Sequence, residues 1–381
     1  MWRNRPGGAH VELVAERAEF ADAVSWATRT VGARVTLPAL SGVLLEAEDG
    51  KLTCRATDLE VAAEIRIPVR IEQPGRVLLP GRLLSQLVAK FPDAPVHVKG
   101  EPDRVEITCG RATFHVRGMP VDDFPALPEP AEDAAQGVVK ADAFSRLVAQ
   151  VARAASTDEA RPVLTGVQLE ASDGKLTAAA TDSYRLAVRS LRWDESVDGK
   201  ALVPARALQE AAKAASDAGG AVTVALEDGQ VSFLFGDRRL TTRLIEGTFP
   251  NYRALLPDAH ETGVVVERAA LVEALQRVAV VAMGQANTPV SLTFGDGSVD
   301  LQAGSQEIGD AAEALPAEID GEGLTIAFNP SFLLAGLEAT GTDRIRVELR
   351  DGLKPAVLKP QAEGDETVDD LTYLLMPMRV S

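Results

Sequence analysis

Few residues of this chain are suited to covalent chemistry, and their spacing spells out none. The four histidines, His10, His97, His115 and His260, are the natural candidates for metal ligation or for proton transfer near neutral pH. They are scattered, and no HExxH pair occurs. The two cysteines, Cys54 and Cys109, form no CxxC. In predicted strands they read as inert, half-buried thiols of a reduced cytoplasmic protein. There is no GxxxxGK(S/T) phosphate loop and no GxSxG elbow. Carboxylates are plentiful, yet no pair is set apart for acid–base work. The expectation is a protein that is not an enzyme and has no metal site and no cofactor.

The residues that do recur in pattern suit binding. Arg82, Gln86 and Lys90 share one stripe at helical spacing, as do Arg146, Gln150 and Arg153, and Arg206, Glu210 and Lys213. Six candidate helices (18–31, 81–90, 141–155, 205–216, 267–282 and 330–339) hold nine basic and seven acidic residues, on a chain whose net charge is −17. Gathered on one surface, they would make a neutral-to-basic face on an acidic body. Such a face would tolerate phosphates without reading bases; solvated helix faces without a role are the other reading. A second binding signal is the Met376-Pro377-Met378 run. Pro377 cannot occupy a central strand position that needs an N–H donor, and flexible thioethers on either side of it suit an adaptable apolar groove. A last core strand is the alternative.

The elements that must position these residues are repeated. Pro38–Asp58 and Pro162–Asp182 agree at fifteen of 21 positions, at a constant offset of 124 residues. Leu79-Pro80-Gly81-Arg82 matches Val203-Pro204-Ala205-Arg206 at the same offset, and a fainter third copy carries Phe328-Asn329-Pro330 at that place. Each copy reads as helix, strands, helix, strands, an α+β domain with two helices on antiparallel sheet. Glu48-Asp49-Gly50 and Gly110-Arg111 are hairpin signals. Thr57-Asp58 and Thr181-Asp182 each follow a strand and read as Asx-type turns. The expected division is an extension over 1–10 and domains over 11–130, 131–256 and 257–381. No apolar run approaches the ~18 residues of a membrane span, and the first ten residues lack the apolar core of a secretory signal.

Taken together, these residues resemble the bacterial sliding clamps, the beta subunits of DNA polymerase III. The resemblance runs from about Val11 to Ser381. It rests on Thr36-Leu37-Pro38, on the ATDSYRL segment from Ala180 to Leu186, on FPNYRALLP from Phe249 to Pro257, on FNPSF from Phe328 to Phe332 and on the MPMR run from Met376 to Arg379. It implies a DNA clamp fold of three tandem similar domains. Two chains would form a closed ring with helices inside and sheets outside. The ring would encircle duplex DNA without regard to sequence and act as a processivity factor. Arg34, Arg82, Arg146, Arg153 and Arg206 would face the DNA.

The resemblance also implies a groove between the second and third domains. Short apolar motifs of the replicative polymerase, the clamp loader and repair proteins would dock there. In this chain the second domain would contribute Leu164, Thr181, Ser183, Tyr184, Leu186, Pro250 and Leu255. The third would contribute Asn329, Phe332, Leu353, Pro355, Met376, Pro377 and Met378. Ala254, Phe332 and Pro355 stand where relatives can carry Arg, Tyr and Ser, and Asp158 lies in a loop that in relatives can touch DNA. The homodimer contact would pair the Phe114 and Val116 strand with Val281 and Ala282 of the 280–283 region, with Glu307, Asp310 and Glu313 adding steering. A specialised clamp paralogue and a protein-interaction scaffold that never loads on DNA are the alternatives weighed against the replicative clamp.

Overall fold

Three Asp-Gly dipeptides set the frame. Asp49-Gly50, Asp173-Gly174 and Asp296-Gly297 each carry two successive positive φ angles, 50° and 74°, 51° and 70°, and 51° and 75°. Such a turn matches the right-handed twist of the strands it joins. It closes Gly42–Glu48 on Lys51–Thr57, Gly166–Ser172 on Lys175–Thr181, and Val290–Gly295 on Ser298–Ser305. The sequence repeat thus has a backbone counterpart in all three copies. The computed structural model describes residues 10–32, 37–101, 103–127, 134–193, 198–282, 288–305, 309–361 and 371–379.

Six α-helices form among the described residues: α1 (Arg17–Thr28), α2 (Gly81–Val88), α3 (Ala141–Val151), α4 (Ala205–Ala218), α5 (Arg268–Ala282) and α6 (Pro330–Thr340). They match the six expected from apolar periodicity to within about a turn. On α3 the buried side chains include Phe144, Leu147, Val148 and Val151, the i, i+3, i+4, i+7 stripe of the sequence. Burying each large apolar side chain stabilises by roughly 1.5–3 kcal/mol. Asn329 caps α6: its Oδ1 accepts the N–H groups of Ser331 and Phe332, at 2.9 and 3.3 Å. Pro330 takes the first helical position and Gly341, at φ 68°, ends the helix.

The chain divides into two compact units that cut across the repeats. The first holds the residues up to Gln136 together with Ala221–Arg243; the second holds Gly137–Gly220 and the residues from Leu244 on. In the first unit, one antiparallel sheet runs in the order Arg70–Gln73, Val11–Ala15, Val96–Glu101, Arg104–Cys109, Ala112–Val116. The other sheet joins two copies. The Val61–Pro68 strand of the first copy pairs antiparallel with Arg238–Arg243 of the second, from Ile65 opposite Arg238 to Val61 opposite Thr242. That seam is tied by charge. Glu64, 5% exposed, accepts Arg55 Nε (2.6 Å) and Arg239 Nη2 (3.0 Å) on Oε2 and lies 3.0 Å from Arg66 Nη2 on Oε1. Trp26 of α1 donates its indole N–H to the Glu64 carbonyl at 3.0 Å and meets Phe235 edge-on.

The second unit repeats this plan. Its nine-stranded antiparallel sheet places Arg185–Arg192 of the second copy against Thr372–Leu375 of the third, followed by Ala356–Gln361, Arg344–Leu349 and Thr262–Glu267. Helices α3, α4, α5 and α6 belong to this unit. Gly336 on α6 permits close approach: a Cβ there would lie 2.7 Å from Leu358 Cδ1 and 2.8 Å from the Tyr373 ring.

Candidate functional site

The site begins at the turn after Lys175–Thr181. Thr181 Oγ1 donates to the Arg185 carbonyl (2.7 Å) and accepts the Ser183 N–H (3.1 Å). Asp182 Oδ1 accepts the N–H groups of Tyr184 and Arg185, at 2.9 and 3.0 Å, and its Oδ2 accepts Arg185 Nε at 2.9 Å. This Asx-type turn holds Ser183 at φ 81° and directs Tyr184 outward. The Tyr184 ring stacks on Phe332 with centroids 6.2 Å apart, and the Arg185 guanidinium lies 4.5 Å from the Phe332 centroid. Cation–π contact and carboxylate pairing thus fix Arg185 from two sides. Burial pushes the Tyr373 hydroxyl above its ordinary value, with Arg185 opposing. It stays neutral and donates to the Phe332 carbonyl at 3.5 Å.

The Met-Pro-Met run closes the site from the other side. The Met376 N–H donates to the Tyr184 carbonyl (2.8 Å) and the Met378 N–H to the Ala327 carbonyl (2.7 Å). Pro377, which has no N–H, falls between these two donors and just beyond the Thr372–Leu375 strand. Beneath lies a core of Ala179, Leu186, Tyr252 and Leu374, packed against Val188, Phe249 and Leu256. Arg253 stacks 4.8 Å from the Tyr252 centroid and donates to Glu170 Oε2 at 2.8 Å.

Nine large apolar side chains stand exposed among the described residues, and four belong to this neighbourhood: Tyr184 (60%), Leu255 (52%), Leu353 (75%) and Met376 (41%). All fourteen groove residues expected from the sequence fall in the second unit, but their roles differ. Pro250 and Ser183 are exposed, and Leu164, Phe332, Pro355, Pro377 and Met378 are half-buried. Thr181 and Leu186 are buried; they build the turn and the floor. The Asn329 amide oxygen is taken up by capping α6. The sequence marks Asp182 only as a turn residue, and singles out neither Arg185 nor Tyr252. The Asp-x-x-Arg spacing inside ATDSYRL was the available signal for the first two.

Of the five arginines expected to face DNA, three lie on α-helices and Arg153 lies in the turn that ends α3. Arg82 on α2, Arg146 on α3 and Arg206 on α4 are exposed, and Arg34 lies outside the described residues. Arg153 is tied down: it donates to the Ala149 and Ala335 carbonyls and to Glu338 Oε2, at 3.0, 3.1 and 3.1 Å. A cavity of about 530 Å3 opens beside α3 and the end of α6, lined by Arg146, Gln150, Arg153, Arg189 and Glu338 among others. Gln150 bridges the two helices and the sheet, donating to the Ala339 carbonyl at 2.7 Å and accepting from Arg189. Asp158 accepts the Ala160 N–H and Arg161 Nε, each at 3.0 Å; these bonds hold its carboxyl below the usual range, so it stays ionised.

Of the residues expected at a dimer contact, Phe114 is half-buried against Phe91, and Val116 is buried in its own unit. Both lie on Ala112–Val116, an outer strand of its sheet. Val281 is half-buried and Ala282 buried, while their neighbour Val280 is 69% exposed. Gly309–Pro316 is the outer strand of a four-stranded sheet. Its Glu313 is held by Arg277 through two bonds of 2.6 and 3.0 Å, and Asp310 is exposed. Met283 and Glu307 lie outside the described residues. Among the described residues no three metal-ligating side chains converge, and no helix is long and apolar enough to cross a membrane. Cys54 and Cys109 are buried, and burial pushes the Cys54 thiol up to about 12, out of reach as a nucleophile.

Comparison with known proteins agrees with this architecture. Residues 11–128, 138–251 and 253–379 match, in order, the N-terminal, central and C-terminal domains of the DNA polymerase III beta subunit. The beta sliding clamp of Streptomyces coelicolor is 40% identical over 380 residues, covering 97% of this chain and all of that one. The sliding clamp of Bacillus subtilis superposes with a TM-score of 0.91 at 29% identity, over 98% of this chain and all of the other. A Pseudomonas aeruginosa sliding clamp solved bound to griselimycin gives 0.89 at 29% identity, over 97% of this chain and all of that one. Three clamp domains in sequence order, on a chain of matching length, make this protein a member of the bacterial DNA polymerase III beta subunits, the sliding clamps.

Proposed function

We infer that this sliding clamp closes with a second copy into a ring around duplex DNA. It tethers the replicative polymerase, the clamp loader and repair proteins through the apolar site on its second unit. It acts in the cytoplasm as a non-catalytic subunit, with domains dividing near residues 130 and 256. The observation that carries the docking role is the Tyr184–Phe332 stack on a unit that also exposes Leu255, Leu353 and Met376. So much exposed apolar surface in one neighbourhood marks an interaction site, and thioethers beside rigid rings suit varied apolar motifs. Arg82, Arg146 and Arg206 are placed on helices and exposed, as sequence-blind phosphate contacts require. The outer strands Ala112–Val116 and Gly309–Pro316 offer backbone donors and acceptors for pairing with a second copy.

The test is primer extension on a singly primed circular template with polymerase and clamp loader. The wild-type chain should lengthen the products made per binding event. Tyr184→Ala combined with Met376→Ala should abolish that gain while leaving sedimentation at twice 40.3 kDa. Arg82, Arg146 and Arg206 changed together to Glu should weaken retention on DNA. Full stimulation by the double variant would reject the docking role, and a monomer that still stimulates would reject the ring.

A further inference from the structure

The outer strand Ala112–Val116 carries a histidine that the docking and DNA-facing roles leave unused. Register sets its surroundings. Phe114 stands opposite Ile107 and Val116 opposite Val105, both buried, so Thr113 and His115 point to the other, solvent side. On that side one row of charges crosses four strands with alternating sign. Glu12 stands opposite Lys99 (Oε1 to Nζ 3.1 Å), Lys99 opposite Glu106, and Glu106 opposite His115, whose Nδ1 lies 3.8 Å from Oε2. Opposite charges at such cross-strand positions stabilise a sheet. His115 ends the row at an open edge. Arg104 on the neighbouring strand and Arg117 just past its own follow one step further along, both exposed, and oppose a positive charge on it. The other outer strand, Gly309–Pro316, is built the same way. Ala311, Glu313 and Leu315 stand opposite Ala303, Leu301 and Val299, all buried, while Asp310, Ala312 and Ala314 are exposed on the other face. Asp310 is that face's only charge on the strand, since Glu313 is turned to Arg277. The charged or titratable residues of 111–117 are Arg111, His115 and Arg117; those of 309–316 are Asp310 and Glu313.

We propose that His115 makes ring closure depend on pH: when two copies pair their outer strands, Asp310 of the partner subunit joins Glu106 beside His115 and favours its protonated form. The proposal rests on the closure with a second copy inferred above. If the apolar faces run on from one sheet to the next, His115 shares a face with Asp310 and the two alanines, so Asp310 is the charge that strand can offer it. The row Glu12, Lys99, Glu106, His115 then continues its alternation by one more strand. Histidine changes charge between about pH 5 and 8, a range in which carboxylates stay ionised. In the free chain His115 has one carboxylate opposite and two guanidiniums one step along; in the ring it gains a second carboxylate. Closure is therefore coupled to proton uptake. Its gain is fully present below the histidine range and is lost as pH rises through it.

The test uses the full chain, rhodamine-labelled at its amino terminus, in sedimentation velocity with fluorescence detection. Dilution series are run near pH 6 and near pH 8 at one ionic strength. The Kd of the dimer should be about three- to fivefold lower near pH 6 than near pH 8. His115→Gln should bring that ratio to one and leave the Kd near pH 8 unchanged. His115→Lys, a fixed cation, should hold the tighter value at both. Asp310→Asn, which leaves the histidine in place, should also bring the ratio to one. His10, His97 and His260 are present in every variant, so a pH dependence of their making would survive these changes. A dimer whose Kd does not vary with pH overturns the switch and leaves the ring standing. So does a pH dependence that survives His115→Gln or Asp310→Asn. A chain that stays monomeric at micromolar concentration at both pH values overturns the ring and the switch with it.

Discussion

The turns at Thr57–Val61 and Thr181–Arg185 have the same hydrogen bonds and opposite uses. In the first unit Thr57 Oγ1 donates to the Val61 carbonyl (2.9 Å) and accepts the Leu59 N–H (3.0 Å), while Asp58 Oδ1 accepts the N–H groups of Glu60 (3.0 Å) and Val61 (2.8 Å). The second unit repeats these bonds residue for residue, and Leu59 (φ 79°) and Ser183 (φ 81°) share a backbone state rare for side-chain-bearing residues. Even the incoming strand docks alike: the Arg243 N–H donates to the Glu60 carbonyl as the Met376 N–H donates to that of Tyr184, at 3.0 and 2.8 Å. The side chains differ. The first turn shows Leu59 and Glu60, and its neighbouring strands carry the ion cluster around Glu64. The second shows Tyr184 stacked on Phe332 and steadied by Arg185. Duplication preserved the frame, and function diverged in the few residues that the frame presents.

That contrast can be broken most forcefully at Glu64. Glu64→Ala leaves three arginines crowded at a buried seam and should cost about 3–5 kcal/mol in urea unfolding. Glu170→Ala, whose partners Lys200 and Arg253 are 68% and 55% exposed, should cost about 1 kcal/mol or less; equal losses would erase the distinction between seam and site. The pH dependence follows. Burial alone would raise the Glu64 carboxyl, but Arg55, Arg239 and Arg66 outweigh it and hold the folded value below the ordinary 4.5. A depressed value stabilises fully above the unfolded one, and that stabilisation drains away as pH falls from about 4.5 through the folded value. Fluorescence of Trp26, followed in a Trp2→Phe, Trp193→Phe variant, should report this acid loss in the first unit.

A smaller effect separates the two turns themselves. Asp182 is buried and accepts three bonds, one of them from the Arg185 guanidinium, so Asp182→Ala should cost about 2–3 kcal/mol. Asp58→Ala, which loses two bonds from backbone N–H donors and no guanidinium bond at a half-buried position, should cost less, about 1–2 kcal/mol. Tyr184→Ala should weaken an apolar docking peptide about tenfold while shifting stability by no more than about 0.5 kcal/mol; Glu60→Ala at the matching position should leave peptide binding unchanged. Least of all, Leu59→Gly should stabilise by up to about 1 kcal/mol, since glycine adopts positive φ without the Cβ clash. A loss there would mean that the Leu59 side chain has a partner of its own.

Local structure was legible because its determinants are local. The three Asp-Gly turns and the apolar stripe of α3 are written within a few residues, and so is the proline that stops the Thr372–Leu375 strand. The pairing of Val61–Pro68 with Arg238–Arg243 is not, since nothing near either strand names its partner; hence the two compact units cross the repeat boundaries. In the candidate site, the resemblance names apolar residues but not which of them are exposed and which are buried. Thr181 and Leu186 look like surface and prove buried, because a turn that throws Tyr184 outward turns its neighbours in. Arg185 was overlooked because its worth lies in a ring contributed by Phe332, far along the chain.

The strand Thr372–Leu375, which runs inside the second unit's sheet, also sets a timetable for synthesis. Arg185 and the Tyr373 it touches are 188 residues apart. At the ~5–20 residues per second of a bacterial ribosome, the Arg185–Arg192 strand waits roughly 10–40 s for its neighbour. Throughout that interval the nascent chain carries an open sheet edge, and Met376 has not yet arrived beside Tyr184. The surface around Tyr184 is therefore completed only when the last residues of the chain emerge.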